Sequence, residues 1–118
     1  MRITRILATQ VLVGVAVLAL CLSVDASAGE VDAAAAQAFA KQNNCFRCHG
    51  IDKDKDGPAW KKISAKYKGA ADAEAKLTHH LTSGEKAKFP DGHEEDHMIL
   101  KSDDASEIKN LVDWILSL

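Results

Sequence analysis

Residues 43 to 50 read NNCFRCHG, with Cys45 and Cys48 three positions apart and an imidazole, His49, directly after the second thiol. No other short stretch restricts the fold so tightly, because each chemistry that uses such a cluster demands a different scaffold. A dithiol redox pair opens a helix within alternating strands and helices. A structural zinc site needs four ligands, two of them from elsewhere in the chain. Covalent attachment of haem needs both thiols and the histidine in this order. The rest of the chain chooses among the three.

The start of the chain fixes the compartment. Arg2 and Arg5 give a positive head, Val11 to Val24 form an uncharged, largely apolar run, and Ala26-Ser27-Ala28 follows. That order is a secretory signal, with small residues where the peptidase reads. The run of 14 residues is short of the ~20 that a spanning helix needs. Residues 1–28 are therefore expected to be a cleaved signal peptide. Residues 29–118 are expected to be one exported, periplasmic domain that is not embedded in the membrane. Cys21 leaves with the signal, so the other two of the three cysteines, Cys45 and Cys48, are those of the motif. A bridge across C-x-x-C closes too short a loop to restrict the unfolded chain much. A domain this small usually leans on a disulfide, metal or cofactor for stability. Here a bound cofactor fills that need.

The exported part reads as helices joined by loops. Val31 to about Lys41 is rich in alanine, a strong helix former. Trp60, Ile63 and Tyr67 mark a short helix at spacings of three and four. Asp72 to about Ser83 repeats apolar residues at Ala73, Leu77 and Leu81, with Asp72 placed to cap its start and Gly84 its end. The last helix carries Ile108, Leu111, Val112, Ile115 and Leu116 on one face, and Ser102 or Asp104 can cap it. Residues 84 to 101 show no periodicity and read as a long loop, a feature that is usually functional. No alternating β-branched run follows the signal, so the fold class is all-α.

An all-α pattern leaves no scaffold for thioredoxin-like chemistry. Zinc lacks the usual pair spacing at His79-His80, although His93 and His97 have it. Haem attachment accounts for the motif, the export signal and the helices together. In that chemistry the cysteine sulfurs form thioethers with the haem vinyl groups, and the histidine becomes the proximal iron ligand.

With these residues in view, the chain resembles class I cytochrome c, of the small bacterial periplasmic type often called cytochrome c-551-like. The stretches that carry the likeness are FAKQNNCFRCHGID, GPAWKKISAKYKG, AEAKLTHHLTSG and SDDASEIKNLVDWILSL. The resemblance implies a cytochrome c fold of three to five helices around one covalent haem c. Cys45 and Cys48 would attach the haem, with His49 as proximal ligand. The carbonyl of Pro58 would accept from the other ring nitrogen of His49, and Trp60 would line the haem pocket. Met98, the one methionine after the signal, lies in the loop where the family keeps its distal ligand. The metal ligands implied are thus His49 and Met98. The loop FPDGHEEDHMILK departs from the family. His97 precedes Met98, Pro90 is the only proline and there is no tryptophan. His97 or His93 therefore stays open as an alternative, with a lower potential. His79 and His80 read as surface residues.

The function implied is transport of single electrons through Fe(III)/Fe(II) cycling, without enzymatic activity. The alternative is a haem sensor or peroxidase-like protein with an open distal position. Periplasmic or membrane-bound redox proteins would be transient partners of a monomer. Residues 41–76 carry nine basic against five acidic side chains, and residues 77–118 four against nine. Such polarity can orient a molecule toward a partner. Arg47, Lys53, Lys55, Lys61 and Lys62 are candidates to meet an acidic one. No basic cluster is dense enough for nucleic acid. Asp52-Lys53-Asp54-Lys55-Asp56-Gly57 mimics the start of a calcium loop, but its twelfth position is Ile63 where glutamate is required. It reads as a solvated turn.

Overall fold

The computed structural model describes residues 29–118, and the expected signal peptide, residues 1–28, lies outside them. Helix α1 spans Ala33–Gln42, α2 Trp60–Tyr67, α3 Ala73–Ser83 and α4 Ala105–Leu116. A single 3₁₀ turn, Cys45–Arg47, follows α1.

Each helix begins and ends for a local reason. Asp32 accepts the Ala35 N–H at 2.9 Å and opens α1, whose alanines continue it. Asp104 opens α4 by accepting the Ser106 N–H at 2.8 Å, and Ser102 Oγ donates to the Glu107 carboxylate at 2.7 Å. Helix α3 stops at Gly84, in the left-handed region at φ 69°. A Cβ there would also stand 3.1 Å from the Ile99 side chain. Asp72 does not cap α3 as its position suggests. Its carboxylate pairs with Lys76 at 2.8 Å instead, a competing partner one turn along the same helix.

The apolar stripe of α4 is the axis of the core. Leu111 and Val112 are fully buried, and α1, α2 and α3 all pack on this helix. Trp114 meets the Trp60 ring edge-on at 5.0 Å, joining α4 to α2. Phe39 is buried on the opposing face of α1. At its start α1 is pinned to α4 by a reciprocal pair. The Asp32 N–H donates to Asn110 Oδ1, and Asn110 Nδ2 donates to the Asp32 carbonyl, both at 2.9 Å. Ser64 Oγ donates to the Leu116 carbonyl at 2.9 Å and ties α2 to the end of α4.

The all-α class holds, with one addition. Part of the expected loop 84–101 folds into a hairpin of β1, Lys86–Lys88, and β2, Glu94–Asp96. Its register pairs Lys86 with Asp96 and Lys88 with Glu94. Opposite charges face each other across the strands, and Lys86 reaches Asp96 at 2.5 Å. Phe89 donates its N–H to the His93 carbonyl at 2.9 Å, and Gly92 turns the chain at φ 92°. The strands hold no β-branched residue and no buried face, so hydrophobic periodicity could not reveal them.

Candidate functional site

The site is assembled by the turn that carries the cysteines. Asn43 ends α1 and is 5% exposed. Its amide donates to the Phe39 carbonyl at 2.9 Å, and its Oδ1 accepts the Lys101 N–H at 2.8 Å. One side chain therefore locks the end of α1 to the chain just after Met98. Sequence reasoning passed over Asn43, because nothing but its place beside the motif marks it. Asn44 then takes the left-handed conformation, φ 57°, which asparagine tolerates better than most residues. The Cys48 and His49 N–H groups both donate to the Cys45 carbonyl, at 3.2 and 2.9 Å. This single turn brings both thiols and the imidazole of His49 together, half-buried. The sulfurs are not joined in a disulfide. Burial pushes the Cys45 thiol above its ordinary value.

His49 is held from two sides. Its Nδ1–H donates to the Pro58 carbonyl at 2.7 Å, the bond the resemblance implies. The ring lies nearly parallel to Trp60, 11° between planes and 6.0 Å between centres. Gly57 leaves room for it, since a Cβ there would stand 2.6 Å from His49 Cε1. Burial is the main reason the His49 imidazole is held below its usual range, against the pull of the Pro58 carbonyl. The ring is thus neutral near pH 7, with Nδ1 occupied and a lone pair on Nε2 for a metal.

The Asp52–Gly57 run is more than a solvated turn. Asp54 Oδ1 accepts the Ala59 N–H at 2.8 Å, bracing the Pro58 carbonyl, and its other oxygen pairs with Lys62. The residue that imitates a calcium ligand is a brace for the His49 acceptor.

On the far side, the loop after β2 presents His97. Its ring centre is 6.2 Å from that of His49. It is also 4.1 Å from His80, whose Nδ1–H donates to Glu85 Oε1 at 2.5 Å. His97 Nδ1 is buried without a hydrogen-bond partner. Burial, then the nearby His80 and His49 rings, keep the His97 imidazole below its ordinary value. Met98 is 47% exposed. His79 is on the surface as expected, but His80 turns against His97. His93 stays in the hairpin, bonded to Asp91 and stacked on Phe89 at 4.3 Å.

The Cytochrome c family model matches residues 33–118. The chain belongs to the cytochrome c family. It is similar to cytochrome c-551 of Pseudomonas aeruginosa, 35% identical over 77 residues that cover 65% of this chain and 70% of that protein. Cytochrome c-552 of Nitrosomonas europaea is also 35% identical, over 68% of this chain and 75% of its own length. Among solved structures, the class 1 cytochrome MtoD from Sideroxydans lithotrophicus ES-1 matches with a TM-score of 0.72 and 64% identity. That match covers 75% of this chain and 97% of the other. The fold of this cytochrome is therefore that of class I, its cofactor is covalent haem c and its function is electron transfer. The residues fit such a group. Two unbridged thiols share a turn with a neutral imidazole that has one nitrogen already tethered, Gly57 keeps space beside that ring, and a buried imidazole nitrogen of His97 has no hydrogen-bond partner.

Proposed function

We propose that this cytochrome is a periplasmic carrier that holds one haem through Cys45, Cys48 and His49. It passes single electrons between periplasmic or membrane-bound redox proteins that it meets transiently as a monomer. It carries electrons and is not an enzyme. The observation behind this reading is the His49 imidazole, fixed by Pro58 and set beside two unbridged cysteines on one turn. Haem iron, when bound, supplies one-electron exchange between ferric and ferrous states.

The chain does the rest. Cys45 and Cys48 anchor the group. Pro58 fixes the tautomer of His49 and raises its basicity as a ligand. Trp60, 3% exposed, shields that ring from water, and Phe46 packs on Trp60 at 4.7 Å. A drier site favours the less charged ferrous state. No helix among the described residues is long and apolar enough to cross a membrane.

The test is production in a host that attaches haem c in its periplasm. Haem that stays on the wild-type chain in a denaturing gel, and is lost from Cys45→Ala/Cys48→Ala, is expected. So are a one-electron redox titration and recovery in the periplasmic fraction. Haem retained by the double variant, or a protein held in the membrane fraction, would overturn the assignment.

A further inference from the structure

We infer that the carboxylate of Asp54, acting through the Pro58–Ala59 peptide group, strengthens the hydrogen bond on His49 and so lowers the potential at which the haem exchanges its electron. The inference rests on the reading of this protein as a haem c carrier and deepens it on the side of the site that His49 occupies.

The path is a single conjugated group. The Pro58 carbonyl accepts from His49 Nδ1–H at 2.7 Å, and the Ala59 N–H donates to Asp54 Oδ1 at 2.8 Å. These are the two ends of one peptide bond, whose resonance couples the charge on its oxygen to the charge around its N–H. An anion on the N–H therefore makes the carbonyl a stronger acceptor, as hydrogen bonds in a chain polarise one another. Ala59 is fully buried, so its N–H has the carboxylate for a partner and no water.

The charge is present and held in place. Lys62, and then the Ala59 N–H, keep the Asp54 carboxyl below its ordinary value, so it is ionised at neutral pH. Lys62 binds the other oxygen, Oδ2, and draws off part of that charge. His49 and Asp54 face each other in an antiparallel bridge. The turn between them is closed by the Gly57 N–H on the Cys48 carbonyl at 2.8 Å and by Lys55 Nζ on the Phe46 carbonyl at 2.5 Å. A Cβ on Gly50 would collide with the Lys53 carbonyl, so glycine is what lets the turn close. The neighbouring aspartates are placed differently. Asp52 pairs with Lys61 at 2.5 Å, and among the described residues neither Asp52 nor Asp56 accepts from this peptide. Three carboxylates thus lie in one short run, and one of them has the path to His49.

The sign follows from the ligand. A stronger acceptor draws on the Nδ1 proton and raises the basicity of the imidazole toward a metal. A more basic ligand favours the more highly charged ferric state, which is a lower potential.

The experiment uses purified holoprotein: wild type, Asp54→Asn, Asp56→Asn, Lys62→Gln and Lys61→Gln. Midpoint potentials come from optical redox titration, and the Ala59 amide and His49 ring protons are followed by nuclear magnetic resonance. Asparagine keeps an oxygen for the Ala59 N–H and removes the charge. Asp54→Asn should raise the midpoint, by up to about 59 mV for about a tenfold loss of ferric preference. The Ala59 and His49 resonances should move with it. Asp56→Asn removes the same charge two residues away and should move the midpoint much less. Lys62→Gln should lower the midpoint more than Lys61→Gln does, because it frees the carboxylate that has the path. An unmoved midpoint in Asp54→Asn overturns the inference. So does an equal rise in Asp56→Asn, which would reduce the effect to charge acting through solvent. A raised midpoint with unmoved Ala59 and His49 resonances overturns it too. Where Asp54→Asn does not accumulate with haem, the lysine variants decide, and equal shifts in the two defeat the inference. A wild type recovered without covalent haem defeats the functional reading beneath it, an outcome distinct from a failed path.

Discussion

At the scale of single residues, the site depends on small side chains that leave space and polar ones that fill it. Gly57 gives way to the His49 ring so closely that alanine would bring a methyl to 2.6 Å from Cε1. Gly57→Ala is expected to keep haem attached but rotate the imidazole and loosen its bond to Pro58. The midpoint potential and the ferric resonance spectrum should both shift, and an unchanged pair would contradict this account. Asn43 is the opposite case, a buried amide that satisfies two backbone groups. Asn43→Ala strands the Lys101 N–H, at a cost of about 1–3 kcal/mol. Denaturant unfolding of the holoprotein would measure the loss, and Asn43→Asp, which keeps the acceptor, should lose less. The roles of Cys45, Cys48 and His49 could be read from spacing. That of Asn43 could not, because its partners lie 4 and 58 residues away in opposite directions.

At the scale of elements, the hairpin is what the sequence concealed. Its turn contains a titrating pair, His93 against Asp91. The Asp91 carboxylate accepts from the His93 ring and raises its imidazole above the ordinary value, with Glu95 adding to the effect. A folded value above the unfolded one near 6.5 means that this contact stabilises fully below about pH 6.5 and fades as pH rises through the folded value. Asp91 runs the other way. The His93 backbone N–H and ring hold its carboxylate below the usual range. Its contribution is present above about pH 3.9 and is lost in acid. A titration of the His93 ring protons by nuclear magnetic resonance should give a midpoint above that of a free histidine. Asp91→Asn should bring it down, and no movement would disprove the pairing. The helices, by contrast, were legible almost to the residue. α2 occupies the expected Trp60–Tyr67, since apolar spacing and capping chemistry are local properties of the chain.

At the scale of the whole molecule, charge is separated along the chain, but the fold spends part of it internally. Lys61 pairs with Asp52 at 2.5 Å, Lys62 pairs with Asp54, and Lys55 donates to the Phe46 carbonyl at 2.5 Å. Among the described residues, Arg47 and Lys53 are exposed and in no ion pair. Of the five basic residues suggested by the sequence, these two are the freest to meet an acidic partner. Arg47→Gln/Lys53→Gln should slow electron transfer to an acidic redox protein at low ionic strength more than Lys61→Gln/Lys62→Gln does. The difference should close as salt screens the attraction. Equal rates at low salt for all three proteins would remove this face from the docking surface.

The sequence by itself determined the class of fold, the helices and the covalent cofactor. Those follow from local spacing and propensity: the 3.6-residue period of α4 and the cap that opens it, the alanines of α1, and two thiols and an imidazole on one turn. Tertiary structure decided what spacing cannot express. It made Asp54 a brace for Pro58, turned His80 inward onto His97, and joined Asn43 to Lys101 across the site. It also set the His97 ring 6.2 Å from that of His49. The pairing of β1 with β2 joins charges ten residues apart and shapes the segment that carries His97, a contact that no local spacing expresses.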